Sequence, residues 1–148
     1  MGTTCHTLHS ADKLTSEHRR YTMRQVHGEN TKPEIKVRRL AHRMGFRFRL
    51  HRKDLPGKPE FVFPKRRKII FVHGCFWHGH DCQSGRKRPV ANQQYWLSKL
   101  ERNKIRDVHN QAKLRELGWD VLVVWECEIK NLDRLSANLS TFLESASL

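Results

Sequence analysis

The stretch 71–82, FVHGCFWHGHDC, puts three histidines, two cysteines, a Phe-Trp pair and an aspartate into twelve residues. Cys75, His80 and Cys82 follow the spacing C-x4-H-x-C. Imidazole and thiolate are the ligands that structural zinc prefers, four at a time in a tetrahedron. A fourth ligand must come from elsewhere, and Cys127, His78 and Asp81 are the candidates. Cys127 ends the apolar run VLVVWEC, so a site using it would staple the loop to a sheet. The fourth cysteine of the chain, Cys5, lies in a polar segment and is expected to be free. In a reducing compartment, thiols in such a pattern point to metal rather than to disulfides.

His73 and His78 are left over. An imidazole titrates near neutrality and suits general acid/base work. Phosphodiester hydrolysis also needs a carboxylate-held divalent metal and charge stabilisation. Magnesium keeps several waters, so one or two carboxylates suffice. Glu60 follows the turn LPGKP, one hairpin away from His73, and Glu34 lies in the first turn of a helix, where the dipole alone would favour it. Lys58 and Arg49 are candidate phosphate contacts. Phe76 and Trp77 stand together in a tight turn that can hardly bury both. They either cap a satellite core or form an apolar wedge that unstacks bases, and Trp96 can join them.

These residues need a scaffold, and the pattern supplies one. In TKPEIKVRRLAHRMG, Thr31 is placed as N-cap, Pro33 and Glu34 in the first turn and Gly45 at the stop. FRFRLH alternates as a half-buried strand, EFVF and KIIFVHG pair as a hairpin, and 83–92 is a loop. Residues 93–117 form the longest helix, with Leu97, Leu100, Ile105, Val108, Ala112 and Leu117 as its apolar face. WDVLVVWEC reads as a fully buried strand and NLDRLSANLSTFLESA as a closing amphipathic helix. The order predicts one α/β domain over 31–148, a mixed sheet flanked by helices. Residues 1–30 form a polar, basic arm, with a short helix in SEHRRYTMRQV.

The chain carries 29 Lys and Arg against 15 Asp and Glu, a net charge of +14 over 148 residues. That field attracts polyanions, nucleic acid first. No apolar run long enough to span a bilayer is present, and the N-terminus lacks the apolar core of a signal peptide, so a cytoplasmic protein without a membrane partner is expected.

TKPE, FRFR, LPGKPEFVF, FVHGCFWHGHDC, YWLSKLERNKIRD and LGWDVLVVWEC together resemble the very short patch repair (Vsr) mismatch endonucleases, from about residue 16 to 130. The resemblance implies a restriction-endonuclease-like fold of the PD-(D/E)xK type. It implies Cys75, His80, Cys82 and Cys127 as zinc ligands and His73 and His78 as the active-site histidines. Glu34 would reach metal-bound water, and Glu60 with the Val72 carbonyl would hold magnesium. It also implies that Phe76, Trp77 and Trp96 intercalate beside a mismatch, and that Met23 approaches the minor groove. The implied reaction is a nick 5′ to the T of a T:G mismatch arising from 5-methylcytosine deamination. Mismatch-repair proteins are implied partners, and one subunit suffices, so a monomer is expected. One residue departs from the family, which carries aspartate where this chain has Glu60. The carboxylate then sits one methylene further out, and a shift of about 1 Å in a catalytic group can cost about a hundredfold in rate. The alternative is therefore a zinc-stabilised mismatch-binding protein that cuts weakly or not at all. A zinc module binding any nucleic acid is a third class.

Overall fold

The structure, a computed structural model, describes residues 30–146. The elements there are α1 (Lys32–Arg43), β1 (Arg49–Leu50), β2 (Phe61–Phe63), β3 (Lys68–His73), α2 (Gln93–Glu116), β4 (Asp120–Trp125) and α3 (Leu132–Glu144). The strands lie in the order β1-β2-β3-β4. The first three form antiparallel pairs, and β4 joins β3 in parallel, with His73 beside Trp125. A parallel pair needs a crossover, and α2 is that crossover. The mixed sheet with flanking helices is the expected class. Among the described residues no helix is long and apolar enough to cross a membrane.

Side-chain alternation along the strands sorts the core into two layers. Phe61, Phe63, Ile70, Val72 and Val124 pack on one face with Val37 and Leu40 of α1 and Leu135, Leu139 and Leu143 of α3. Val62, Ile69 and Phe71 pack on the other with Leu114 of α2 and Trp119. The same parity sends Glu60 and His73 towards the α2 side, because each is an even number of residues from Val62 or Phe71. Lys68 falls on the opposite face. It is buried, but its Nζ bonds Asp120 Oδ2 at 3.2 Å and Ser145 Oγ at 2.8 Å, so its charge is compensated.

Both glycine stops hold. Gly45 (φ +93°) and Gly118 (φ +91°) take left-handed conformations beyond α1 and α2. Paired bonds close each helix, Gly45 N–H to His42 and Phe46 N–H to Ala41, then Gly118 N–H to Arg115 and Trp119 N–H to Leu114.

Three expectations change. The FRFRLH strand shrinks to Arg49–Leu50, both exposed; only the alternation survives, with Phe46 buried and Phe48 half-buried. The strand in WDVLVVWEC is half-buried except at Val124, because it is an edge of the four-stranded sheet, and Cys127 lies past its end in the 3-10 turn Glu126–Lys130. In α2 the apolar stripe is not the inner face. Leu97, Ile105, Val108 and Leu117 are exposed, and only Leu100 of the expected set is buried. The inner face runs through Leu100, Asn103, Asp107, Asn110 and Leu114, at helical spacing, with apolar ends and a half-buried polar middle.

Candidate active site and metal centre

The polar middle of α2 faces a pocket of about 380 Å³ on the sheet. Gly57, Lys58, Glu60, Phe71, His73, His78, Arg106, Asp107, Asn110 and Gln111 line it. Parity brings Glu60 and His73 here, and the loop after β3 adds His78. Lys58 arrives through two consecutive left-handed residues, Gly57 (φ +79°) and Lys58 (φ +49°). For a lysine that conformation is strained, and such strain concentrates at functional sites. Arg49, the other candidate phosphate contact, is not among the lining residues.

Within the pocket, His73 and His78 stack in parallel at 3.8 Å. His78 Nδ1 lies 2.5 Å from Asp107 Oδ2. An ionised carboxylate only accepts, so the Nδ1–H donates and the Nε2 lone pair of the neutral ring is left available. Burial, reinforced by neighbouring His78, pushes His73 down to about 4, so it is neutral at pH 7.

Glu60 precedes β2 and its Oε2 accepts from the Val72 N–H at 3.2 Å. Burial pushes its carboxyl up to about 8; backbone N–H groups oppose this, and the charges of Glu34 and Asp107 add to it. A half-buried carboxylate among like charges calls for a cation or a proton. Glu34 itself is buried at 1% exposure, with Arg38 NH2 at 3.1 Å and His51 Nε2 at 2.6 Å. His51 adopts φ +50° and donates its backbone N–H to the Glu60 carbonyl, which ties Glu34's partner to the pocket rim.

Cys75, His80, Cys82 and Cys127 form a second cluster, with ligand atoms all within 4.8 Å of one another. Cys127 Sγ lies 3.5 Å from His80 Nδ1. A tetrahedral zinc, with Zn–S about 2.3 Å and Zn–N about 2.0 Å, separates sulfur from nitrogen by about 3.5 Å. Burial pushes Cys75 up to about 12, while the Gly85 N–H, 3.3 Å from Cys82 Sγ, brings Cys82 down to about 7. The donor set and its spacing fit zinc. Of the three candidates for the fourth position, Cys127 is the one that joins this cluster, whereas His78 is held by Asp107 and Asp81 by Arg86.

Between the clusters stands Trp125, stacked on His80 at 4.1 Å and edge-on to His73 at 5.3 Å. Phe76, Trp77 and Trp96 gather in a cluster of their own, with centroids 5.1 to 5.8 Å apart. All three rings are half-buried. Lys99 Nζ lies 5.4 Å from the Trp77 centroid and 5.6 Å from that of Trp96. Met23 falls outside the described residues.

Asp107, Arg106 and Trp125 were not singled out from the sequence. For Asp107 a signal existed: Asn103, Asp107 and Asn110 repeat at helical spacing between Leu100 and Leu114. For Trp125, its place at the end of a strand beside His73 becomes visible only once β3 and β4 are paired.

The model of the family described as DNA mismatch endonuclease Vsr matches residues 11–84. A type II nicking enzyme of Xanthomonas oryzae pv. oryzae, V.XorIIP, is 53% identical over 133 residues, 90% of this chain and 97% of the relative. V.NmeAIP of Neisseria meningitidis is 42% identical over 120 residues, 81% of this chain and 85% of the relative. The DNA mismatch endonuclease Vsr of Escherichia coli is 39% identical over 125 residues, 84% of this chain and 78% of the relative. With a carboxylate-histidine pocket beside a cysteine-rich cluster, and relatives of this extent, the chain belongs to the Vsr family of DNA mismatch endonucleases.

Proposed function

We propose that this protein is a magnesium-dependent endonuclease that nicks one DNA strand 5′ to the T of a T:G mismatch arising from 5-methylcytosine deamination, and so starts very short patch repair. The observation that carries the reading is the Asp107–His78 pair in one pocket with Glu60, with Phe76 and Trp77 on the same loop as His78. Asp107 fixes the His78 tautomer, and Nε2 takes a proton from the water that attacks phosphorus. A P–O bond forms to that water, the P–O bond to one sugar oxygen breaks, and that oxygen takes a proton from solvent water, so one new strand end carries the phosphate and the other a hydroxyl. Neutral His73 supports the stack and offers a hydrogen bond to the phosphate or to water. Glu60 and the Val72 carbonyl would hold magnesium, which when bound supplies Lewis-acid charge at the phosphate. Glu34 anchors the rim through His51 and adds to the negative field at that position.

Zinc on Cys75, His80, Cys82 and Cys127 would pin the 74–82 loop to the turn after β4, so that His78 and the wedge share one rigid base. Phe76, Trp77 and Trp96 intercalate at the mismatch, and Lys58 meets the backbone. Residues 1–30 act as a DNA-contacting arm that brings Met23 to the minor groove, and 31–148 form the endonuclease domain. A monomer in the cytoplasm suffices, with mismatch-repair proteins as partners.

Duplexes with T:G, other mismatches or normal pairs, incubated with Mg2+, test this. A strand-specific nick confined to T:G is expected, and no nick on any duplex would refute it. The alternative, a mismatch-binding protein that does not cut, draws on the bond that folds Glu60 onto Val72. It predicts T:G binding without turnover, with cleavage restored by Glu60→Asp.

A further inference from the structure

The pocket holds two carboxylates and two histidines, yet hydrolysis at phosphorus adds negative charge to the non-bridging oxygens. Preorganised donors aimed at that charge are usually the largest single catalytic contribution. Only two lining residues carry a permanent positive charge, Lys58 and Arg106. Lys58 is a point charge on a flexible stem, whereas Arg106 presents a planar fork of donors from the rigid α2 helix.

Three observations bear on Arg106. It neighbours Asp107, but Asp107 is committed to His78, and among the described residues Arg106 enters no ion pair. Its NH2 donates to Asn103 Oδ1 at 3.2 Å, and Asn103 Nδ2 donates in turn to the Trp77 carbonyl at 2.9 Å. Its charge reaches His73, on which it is one of the smaller influences. An exposed guanidinium, steadied from one side by an amide and lining a pocket in which it forms an ion pair with neither Asp107 nor Glu60, has the chemistry of a phosphate grip.

We propose that Arg106 binds a non-bridging oxygen of the phosphate 5′ to the mismatched thymine, with Asn103 as a positioning residue that ties the grip to the wedge through the Trp77 carbonyl. The inference rests on the nuclease reading and adds to it the group that neutralises charge at phosphorus. It also gives a physical link between base recognition and cleavage: Asn103 aligns the guanidinium while bonded to the backbone of a residue that enters the DNA.

The test is a binding cycle that needs no cleavage. The full chain and its Arg106→Met variant bind T:G duplexes, without Mg2+, in which one phosphate at a time is a neutral methylphosphonate. At the phosphate 5′ to the thymine, neutralisation should weaken the unmodified protein by about tenfold or more and leave the variant unaffected. The salt slope of binding to the unmodified duplex should fall by about 0.9 in the variant. Additive losses at that phosphate would overturn the proposal. In single-turnover nicking, Arg106→Met should be slower by about a hundredfold. Asn103→Ala should lower the nicking rate in the Arg106 background but not further in Arg106→Met. Absence of nicking by the unaltered protein would refute the nuclease reading, and the binding cycle would still decide the place of Arg106.

Discussion

Glu60→Gln is the most direct probe of the site's electrostatics, because it keeps the side chain's size and an oxygen for the Val72 N–H while removing the titration. In the folded protein burial holds the Glu60 carboxyl at about 8, against an ordinary value of 4.5. Between those values the folded state keeps a proton that the unfolded chain releases. Stability is therefore fully present below about pH 4.5 and is lost as pH rises through about 8. A span of about 3.5 pH units at 1.36 kcal/mol each comes to roughly 5 kcal/mol. His73 works in the opposite sense: its folded value of about 4 lies below the ordinary 6.5, so stability rises with pH between them. Both proteins share that slope, and their difference isolates Glu60. Urea unfolding from pH 5 to 9 without added Mg2+ should show near-coincidence at the acid end. The variant should then gain on the unaltered protein by roughly 1 kcal/mol per pH unit up to about pH 8. Mg2+ should close the gap by stabilising only the protein with the carboxylate. Parallel curves at all pH values would refute the account of a buried, proton-holding carboxyl.

Asp107→Asn should lower the nicking rate by about a thousandfold with mismatch affinity kept, because the amide no longer enforces the His78 tautomer. The same rate in His78→Ala and in the double variant would identify one working unit. Cys127→Ala should abolish stoichiometric zinc and lower the melting temperature by about 10 °C or more, read by metal analysis and calorimetry. Trp77→Ala should weaken T:G binding at least about fivefold more than binding to matched duplex, and an equal loss for both would return the ring to a packing role.

How much of this was legible in the sequence depended on how local the cause was. The zinc candidates lie within eight residues apart from Cys127, and their side-chain types are chemically narrow, so the cluster could be read directly. The stops at Gly45 and Gly118 were legible for a similar reason, since glycine is favoured in the left-handed conformation that closes a helix. Asp107 was harder, because one acid in a helix full of charges looks like solvated surface. The rule that apolar residues point inward led to Leu97, Ile105 and Val108, which are exposed here. That rule fails over the pocket, where α2 must present Asn103, Asp107 and Asn110 instead. The half-burial of β4 was hidden because VLVVW is apolar at every position, and edge or centre is decided by strand order, a long-range property.

The parity of β2 and β3 constrains the length of the chain as well as its composition. Glu60 and His73 share a face because the hairpin between them keeps its register, Phe61 against Ile70 and Val62 against Ile69. One residue inserted into either strand would rotate everything on its outer side by half a turn. The carboxylate would then point into the layer of Phe61 and Phe63, or the imidazole into that of Ile70 and Val72. An extra residue in the tight turn at Pro64–Arg66 leaves both strands in register and changes only the hairpin tip. Insertions should therefore be tolerated at that tip but not in the two strands, where length decides which side of the sheet Glu60 and His73 take.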